Sequence, residues 1–188
     1  MMTLRLTPWH KGPVLTANYE IGIKDILHSN LKYQRWEFEA SILHRMSSLK
    51  RLSLRGGLGL YTERNSEYFV DYLNFRDNNL PTGWDDDWSG QFQLLDSRWY
   101  NESDYYVRGH MTYDTPMLAM AYLPFIGRFI EAERLYLSAL SIEHTRPYIE
   151  VGYGCSNRIF SGGIFASFLG GKFQELECKI TIELFNRW

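Results

Sequence analysis

The feature that most constrains this chain is the alternation of its closing stretch, Phe173 to Trp188. Apolar side chains fall on every second position: Leu176, Cys178, Ile180, Ile182 and Leu184, with Trp188 at the terminus. Between them lie Glu175, Glu177, Lys179, Thr181, Glu183 and Arg187. A period of two describes a strand with one face in an apolar medium and one in water. A strand of roughly ten residues ending in an aromatic suits the last strand of a transmembrane β-barrel: apolar toward lipid, polar toward the lumen, a ring at the interface. Asn186 interrupts the apolar row and Phe185 sits on the polar one. A soluble barrel can show a similar alternation.

The pattern recurs along the chain. Leu15, Ala17, Tyr19, Ile21 and Ile23 form one such row, and Trp36, Phe38, Ala40 and Ile42 a second. Others are Leu52–Leu60, Tyr105–Tyr113, Ile149–Tyr153 and Phe160–Phe168. The segment Glu133–Glu143 is strand-like, but its two faces are mixed. With short strands near Thr3–Thr7 and Glu67–Phe75, the expected fold is all-β: an antiparallel transmembrane β-barrel of about ten strands, alone or as part of a larger barrel. Residues 1–188 read as one domain, the C-terminal portion of a longer protein. The opening residues lack the apolar core of a signal peptide and begin directly on a strand-like pattern, which favours a piece of a longer exported chain.

Composition supports this reading. Aromatic residues make up 16% of the chain, which suits girdles at two membrane interfaces. No run approaches the ~18 apolar residues of a spanning helix. The net charge of −2 advertises no nucleic-acid surface. The polar rows carry Glu37, Glu39, Arg51, Arg55, Arg108 and His110, which are expected to face a wet lumen. Glu37 and Glu39 lie within cross-strand reach of Arg51 and Arg55.

Counting turns back from Trp188 assigns loops to alternate sides. Gly170–Lys172, His144–Pro147 and Arg76–Asp104 fall outside the cell; Cys155–Arg158, Asp114–Ile130 and Thr62–Ser66 fall on the periplasmic side. Asp114–Ile130 is too long and apolar for a plain turn, and a short interfacial helix is expected there.

Several motifs taken together are similar to a family of outer-membrane barrels of unknown function from Bacteroidetes-type bacteria. They are Phe92–Asp96, Trp99–Tyr106, Leu123–Gly127, Glu143–Gly154 and Glu183–Trp188. The resemblance covers at least residues 67–188. Members of that family commonly carry the domain after a carboxypeptidase-regulatory-like domain. The resemblance implies the outer membrane as location, with lipid and the barrel-assembly machinery as partners. It implies no catalytic residues and no cofactor. By likeness to outer-membrane proteins generally, Ile180, Ile182, Leu184 and Trp188 would carry the insertion signal.

Three local features raise specific chemistry. Asp85, Asp86 and Asp87 between Trp84 and Trp88 offer carboxylates for Ca²⁺ and rings for a sugar, or else form an acidic surface loop. No full metal-ligand spacing is present, so no metal is assigned. Val107–His110 resembles the Arg-Gly element of surface-antigen and insertase pores, though it falls inside an expected strand. His110 and His144 raise a barrel hydrolase, with Ser103, Ser138 and Ser141 as available hydroxyls that no spacing ties to either His. Gly56–Gly59 sits in mid-strand and reads as a bend or a close approach of strands. The expected role is therefore non-enzymatic: envelope structure, transport or surface binding, with pore and hydrolase as alternatives.

Overall fold

The computed structural model describes residues 2–6, 12–22, 33–64, 88–96, 99, 104–116, 118–124 and 127–182. These form one nine-stranded sheet in sequence order. The strands are β1 (Met2–Leu6), β2 (Val14–Gly22), β3 (Tyr33–Arg45), β4 (Arg51–Arg64), β5 (Tyr105–Thr115), β6 (Ala132–Ile142), β7 (Tyr148–Ser156), β8 (Phe160–Leu169) and β9 (Lys172–Ile182). Every neighbouring pair is antiparallel. The sheet is open, because β1 and β9 are not paired with each other. Among the described residues no helix is long and apolar enough to cross a membrane.

The burial pattern is the reverse of a water-soluble sheet. Buried positions on one face include His110, Thr112, Ser138, Glu150, Ser161 and Ser167. The opposite face is apolar and exposed: it carries Phe38, Leu58, Val107, Leu137, Val151, Ile164 and Ile180, 37–75% exposed. Register links these rows across strands. Arg55 lies opposite His110, His110 opposite Ser138, Ser138 opposite Glu150, and Glu150 opposite Ser167.

Strand β6 shows why its faces look mixed in sequence. Its exposed row is Leu135, Leu137, Ala139 and Ser141; its buried row is Tyr136, Ser138, Leu140 and Ile142. Leu140 and Ile142 face the polar side because they pack there against Phe92 and Leu95. Glu133 lies on the exposed row but is itself fully buried. The β5–β6 connection folds over it, and its carboxylate accepts the N–H groups of Leu118, Ala119 and Met120 and the hydroxyl of Tyr153. The helix expected in this connection is a single 3-10 turn, Met120–Tyr122. Tyr122 and Phe129 project outward, 79% and 68% exposed.

Two expectations need correction. β4 pairs directly and antiparallel with β5, so no strand lies between them in the sheet. The chain therefore leaves β4 and enters β5 at the same end, and Thr62–Arg64 continue β4 rather than turning on the opposite side. The expected strand at Glu67–Phe75 lies outside the described residues. β7 also runs through Cys155 to Ser156, and the turn starts at Asn157. There the Asn157 side chain accepts the N–H groups of Ile159 and Phe160 and closes the turn. At the other end Gly170 and Gly171, at φ 58° and 79°, make the two-residue link from β8 to β9 that a primed turn demands.

The glycines of β4 admit long side chains from β5. A Cβ on Gly59 would sit 2.1 Å from the Tyr106 ring, and one on Gly57 3.1 Å from Arg108 Nε. Tyr106 and Arg108 thereby cross β4 and bond to Glu37 on β3, at 2.8 and 3.2 Å. We expect Gly59→Val to force Tyr106 off β4 and destabilise the fold by about 1–3 kcal/mol, the usual cost of overpacking. A lowered unfolding midpoint in urea, with Ala17→Val on the exposed face as control, checks this.

Candidate functional site

The buried polar face is covered by a segment from the β4–β5 connection, Trp88–Asp96. It touches wall side chains from β4 to β9. Gly90 lies against Arg55 of β4. Ser89 Oγ donates to Thr112 Oγ1 of β5 at 2.8 Å. Phe92 packs on His110 of β5 and Tyr148 of β7, ring centroids 4.6 and 5.9 Å apart. Leu95 is fully buried with Tyr106, Leu140 and Tyr148. Trp88 meets Phe165 of β8 edge-on at 5.4 Å. Side chains stand roughly perpendicular to a sheet. Gly90 and Gln93 are at most about 11 Å apart along the chain, yet one meets Arg55 of β4 and the other Lys179 of β9, about 24 Å apart across a flat sheet, so the sheet curves around the segment. The segment lies on the concave side.

One carboxylate and one ammonium hold its centre. Glu150 of β7 accepts the main-chain N–H of Gln93 at 2.8 Å and of Leu94 at 2.9 Å. It also accepts the Tyr148 hydroxyl at 3.0 Å. Lys179 of β9 donates to the Gln93 carbonyl at 2.8 Å and to its Oε1 at 3.2 Å. Glu150 is 3% exposed, and these charge-assisted bonds offset part of its loss of water. Phe92, Leu94 and Leu95 add about 1.5–3 kcal/mol each as fully buried side chains.

The wall under the segment interleaves Tyr106, Tyr136, Tyr148 and Phe165 with small residues. Gly152, Gly154 and Gly163 face it beside Ser138 and Ser167. A Cβ on Gly152 would sit 2.3 Å from the Phe165 ring, and one on Gly163 2.6 Å from Trp88. The remaining concave surface, β2 to β5, is a lattice of ion pairs. Arg35 meets Glu20 at 2.7 Å, Arg55 meets Glu39 at 2.6 Å, and Arg108 meets Glu37 at 3.2 Å and Glu39 at 3.5 Å. Arg51 and Arg134 share Asp114.

The structure thus brings Glu37, Glu39, Arg55, Arg108 and His110 onto one concave wall, with Arg51 at its end. The Val107–His110 element lies within β5, and Arg108 acts there as a strut between strands. His110 Nδ1 lies 2.9 Å from Ser138 Oγ, both buried. Sequence spacing could not show this pair, because adjacency in a sheet is set by register. Phe92 packs over His110, and the β6 main chain at Ser138 is paired on both sides. His144 is far more exposed, in the β6–β7 turn. Trp88 packs inside the sheet, whereas Trp84, Asp85, Asp86 and Asp87 lie outside the described residues, as do Ser103, Leu184 and Trp188. Ile180 and Ile182 lie on the exposed apolar row, 75% and 61% exposed. Among the described residues no cluster of His, Cys, Asp and Glu could hold a metal ion. Cys155 and Cys178 are both free thiols.

Fold and site together define an all-β protein with an apolar exterior, a polar concave interior and a segment folded into it. The chain belongs to DUF5686, a family of unknown function: the model of that family's C-terminal domain matches residues 6–155. The match agrees with the resemblance carried by Phe92–Asp96 and Glu143–Gly154. No curated protein and no solved structure gives a significant match.

We expect Glu150→Gln to loosen the segment. An amide offers one acceptor where the carboxylate offers two, and one buried N–H loses its partner, at a cost of about 1–3 kcal/mol. Faster protease cleavage within residues 88–96 and a lower unfolding midpoint are the expected results. Glu177→Gln, at an exposed position of β9, should leave both unchanged.

Proposed function

We propose that this chain is an integral outer-membrane β-barrel domain with a transport or envelope role and no catalytic step of its own. The observation that carries the reading is the reversed polarity of the sheet. Leucine, isoleucine, valine and aromatic side chains line the exposed face, while serine, histidine, glutamate and arginine line the concave one. In water this arrangement would expose a large contiguous apolar surface. In a bilayer it places the apolar face on lipid and the charged face on a solvated lumen.

The open edges support a larger barrel. In lipid, an unpaired strand edge leaves main-chain groups without partners. With nine alternating strands among the described residues, β1 and β9 run in the same direction, so joining them directly makes a parallel seam. A second copy related by a twofold along the membrane normal repeats that seam twice. Antiparallel closure takes an odd number of further strands, and a family model describing a C-terminal domain fits strands supplied by the same polypeptide. Ile180 and Ile182 then belong to the strand read by the assembly machinery. The loops at 143–147 and 170–171 share the outer side with the β4–β5 connection, and Tyr122 and Phe129 sit at the opposite interface.

The test is heat modifiability. The full-length protein in outer-membrane fractions should migrate faster unboiled than boiled. Leu137→Arg, mid-strand on the exposed face of β6, should reduce the folded fraction sharply, since arginine near the bilayer midplane costs about 2–4 kcal/mol. Recovery of the protein as a soluble, detergent-independent species would overturn the proposal.

A further inference from the structure

We propose that Trp88–Asp96 is an internal plug whose withdrawal opens a water-filled path through the barrel for small hydrophilic solutes. The inference rests on the barrel reading above and adds a gate to it.

Three observations carry it. The first is what fills the interior. A small closed barrel fills itself with side chains from its own wall. Here Gly152, Gly154, Gly163, Ser138 and Ser167 leave part of the wall low, between the larger Tyr106, Tyr136, Tyr148 and Phe165. Trp88, Phe92, Leu94 and Leu95 from one connection pack into that relief, against those wall side chains. Removing that connection vacates the volume of these four side chains.

The second is the chemistry of the exposed wall after withdrawal. Glu150, Lys179, His110, Thr112 and the serines would meet water, which solvates them readily, beside the rings of Tyr106, Tyr136, Tyr148 and Phe165. The ion-pair lattice of β2 to β5 faces the same lumen. A path bounded by both surfaces suits ions and polar solutes.

The third is how the segment is held. Among its polar attachments are three wall side chains. Glu150 and Lys179 grip the main chain around Gln93, and Thr112 holds Ser89. No strand of the sheet pairs its main chain with Gln93 or Leu94, since both N–H groups end on Glu150. The segment can therefore leave without breaking the sheet ladder.

The experiment uses the full-length protein with Cys155 and Cys178 replaced by serine, reconstituted in planar bilayers in potassium chloride. Glu150→Ala with Lys179→Ala weakens the hold and should raise the time-averaged conductance about tenfold or more over the parent. Ser89→Cys with Thr112→Cys places thiols where two oxygens lie 2.8 Å apart, a separation a disulfide can span. Added to the weakened variant, this pair should abolish the extra conductance when oxidised and restore it on reduction. Heat-modifiable, inserted variants whose conductance matches the parent would overturn the plug alone. So would an oxidised lock that conducts like its reduced form. Absence of any heat-modifiable membrane species, parent included, would overturn the barrel reading and the plug with it.

Discussion

Main-chain pairing between antiparallel neighbours is the constraint on which everything else here depends. Each strand spends its main-chain donors and acceptors on the strands beside it, so side chains alone decide which medium each face meets. Because successive side chains point oppositely, one strand can serve an apolar exterior and a polar interior together. The same pairing sets the register that brings Arg55, His110, Ser138, Glu150 and Ser167 into one row. No two of these five are near in sequence, and the interior exists as a chemical surface only because the ladder aligns them.

Glycine and long polar side chains then work as a pair. Gly57 and Gly59 remove the obstacle that would keep Arg108 and Tyr106 from reaching Glu37 two strands away. Gly152 and Gly163 do the same for Phe165 and Trp88. The result is a wall cross-linked over its own strands on one side and padded by an in-folded segment on the other. Glu133 shows the same economy at the rim. A carboxylate on the apolar row is tolerated because three main-chain N–H groups and a tyrosine hydroxyl enclose it.

Much of the sheet was legible because alternation is a local property. The rows through Phe38, Leu58, Val107, Val151, Ile164 and Ile180 lie on the exposed face the pattern indicates. Where the sequence misled, a non-local contact was responsible. β6 looked mixed because Leu140 and Ile142 serve a small apolar core under Phe92 and Leu95, and because Glu133 is enclosed by a connection from its own end. Thr62–Ser66 looked like a separate turn because the pattern could not show that β4 and β5 are direct partners. The His110–Ser138 pair and the Glu150–Lys179 grip on Gln93 left no trace in spacing at all.

The sequence by itself determined that this chain forms strands with one apolar and one polar face, since the period of two and the residue types are properties of neighbours in the chain. The family follows from the sequence too, through the match over residues 6–155. Only the tertiary structure decided strand order, the direct β4–β5 pairing and the placing of Trp88–Asp96 inside the curve of the sheet. The physical reason is that these depend on which distant strands share hydrogen bonds, and on which side chains leave room for a connection to fold inward. An extended loop and an in-folded one can have the same local composition. The small wall residues and the carboxylate that receives the main chain of Gln93 and Leu94 tell them apart.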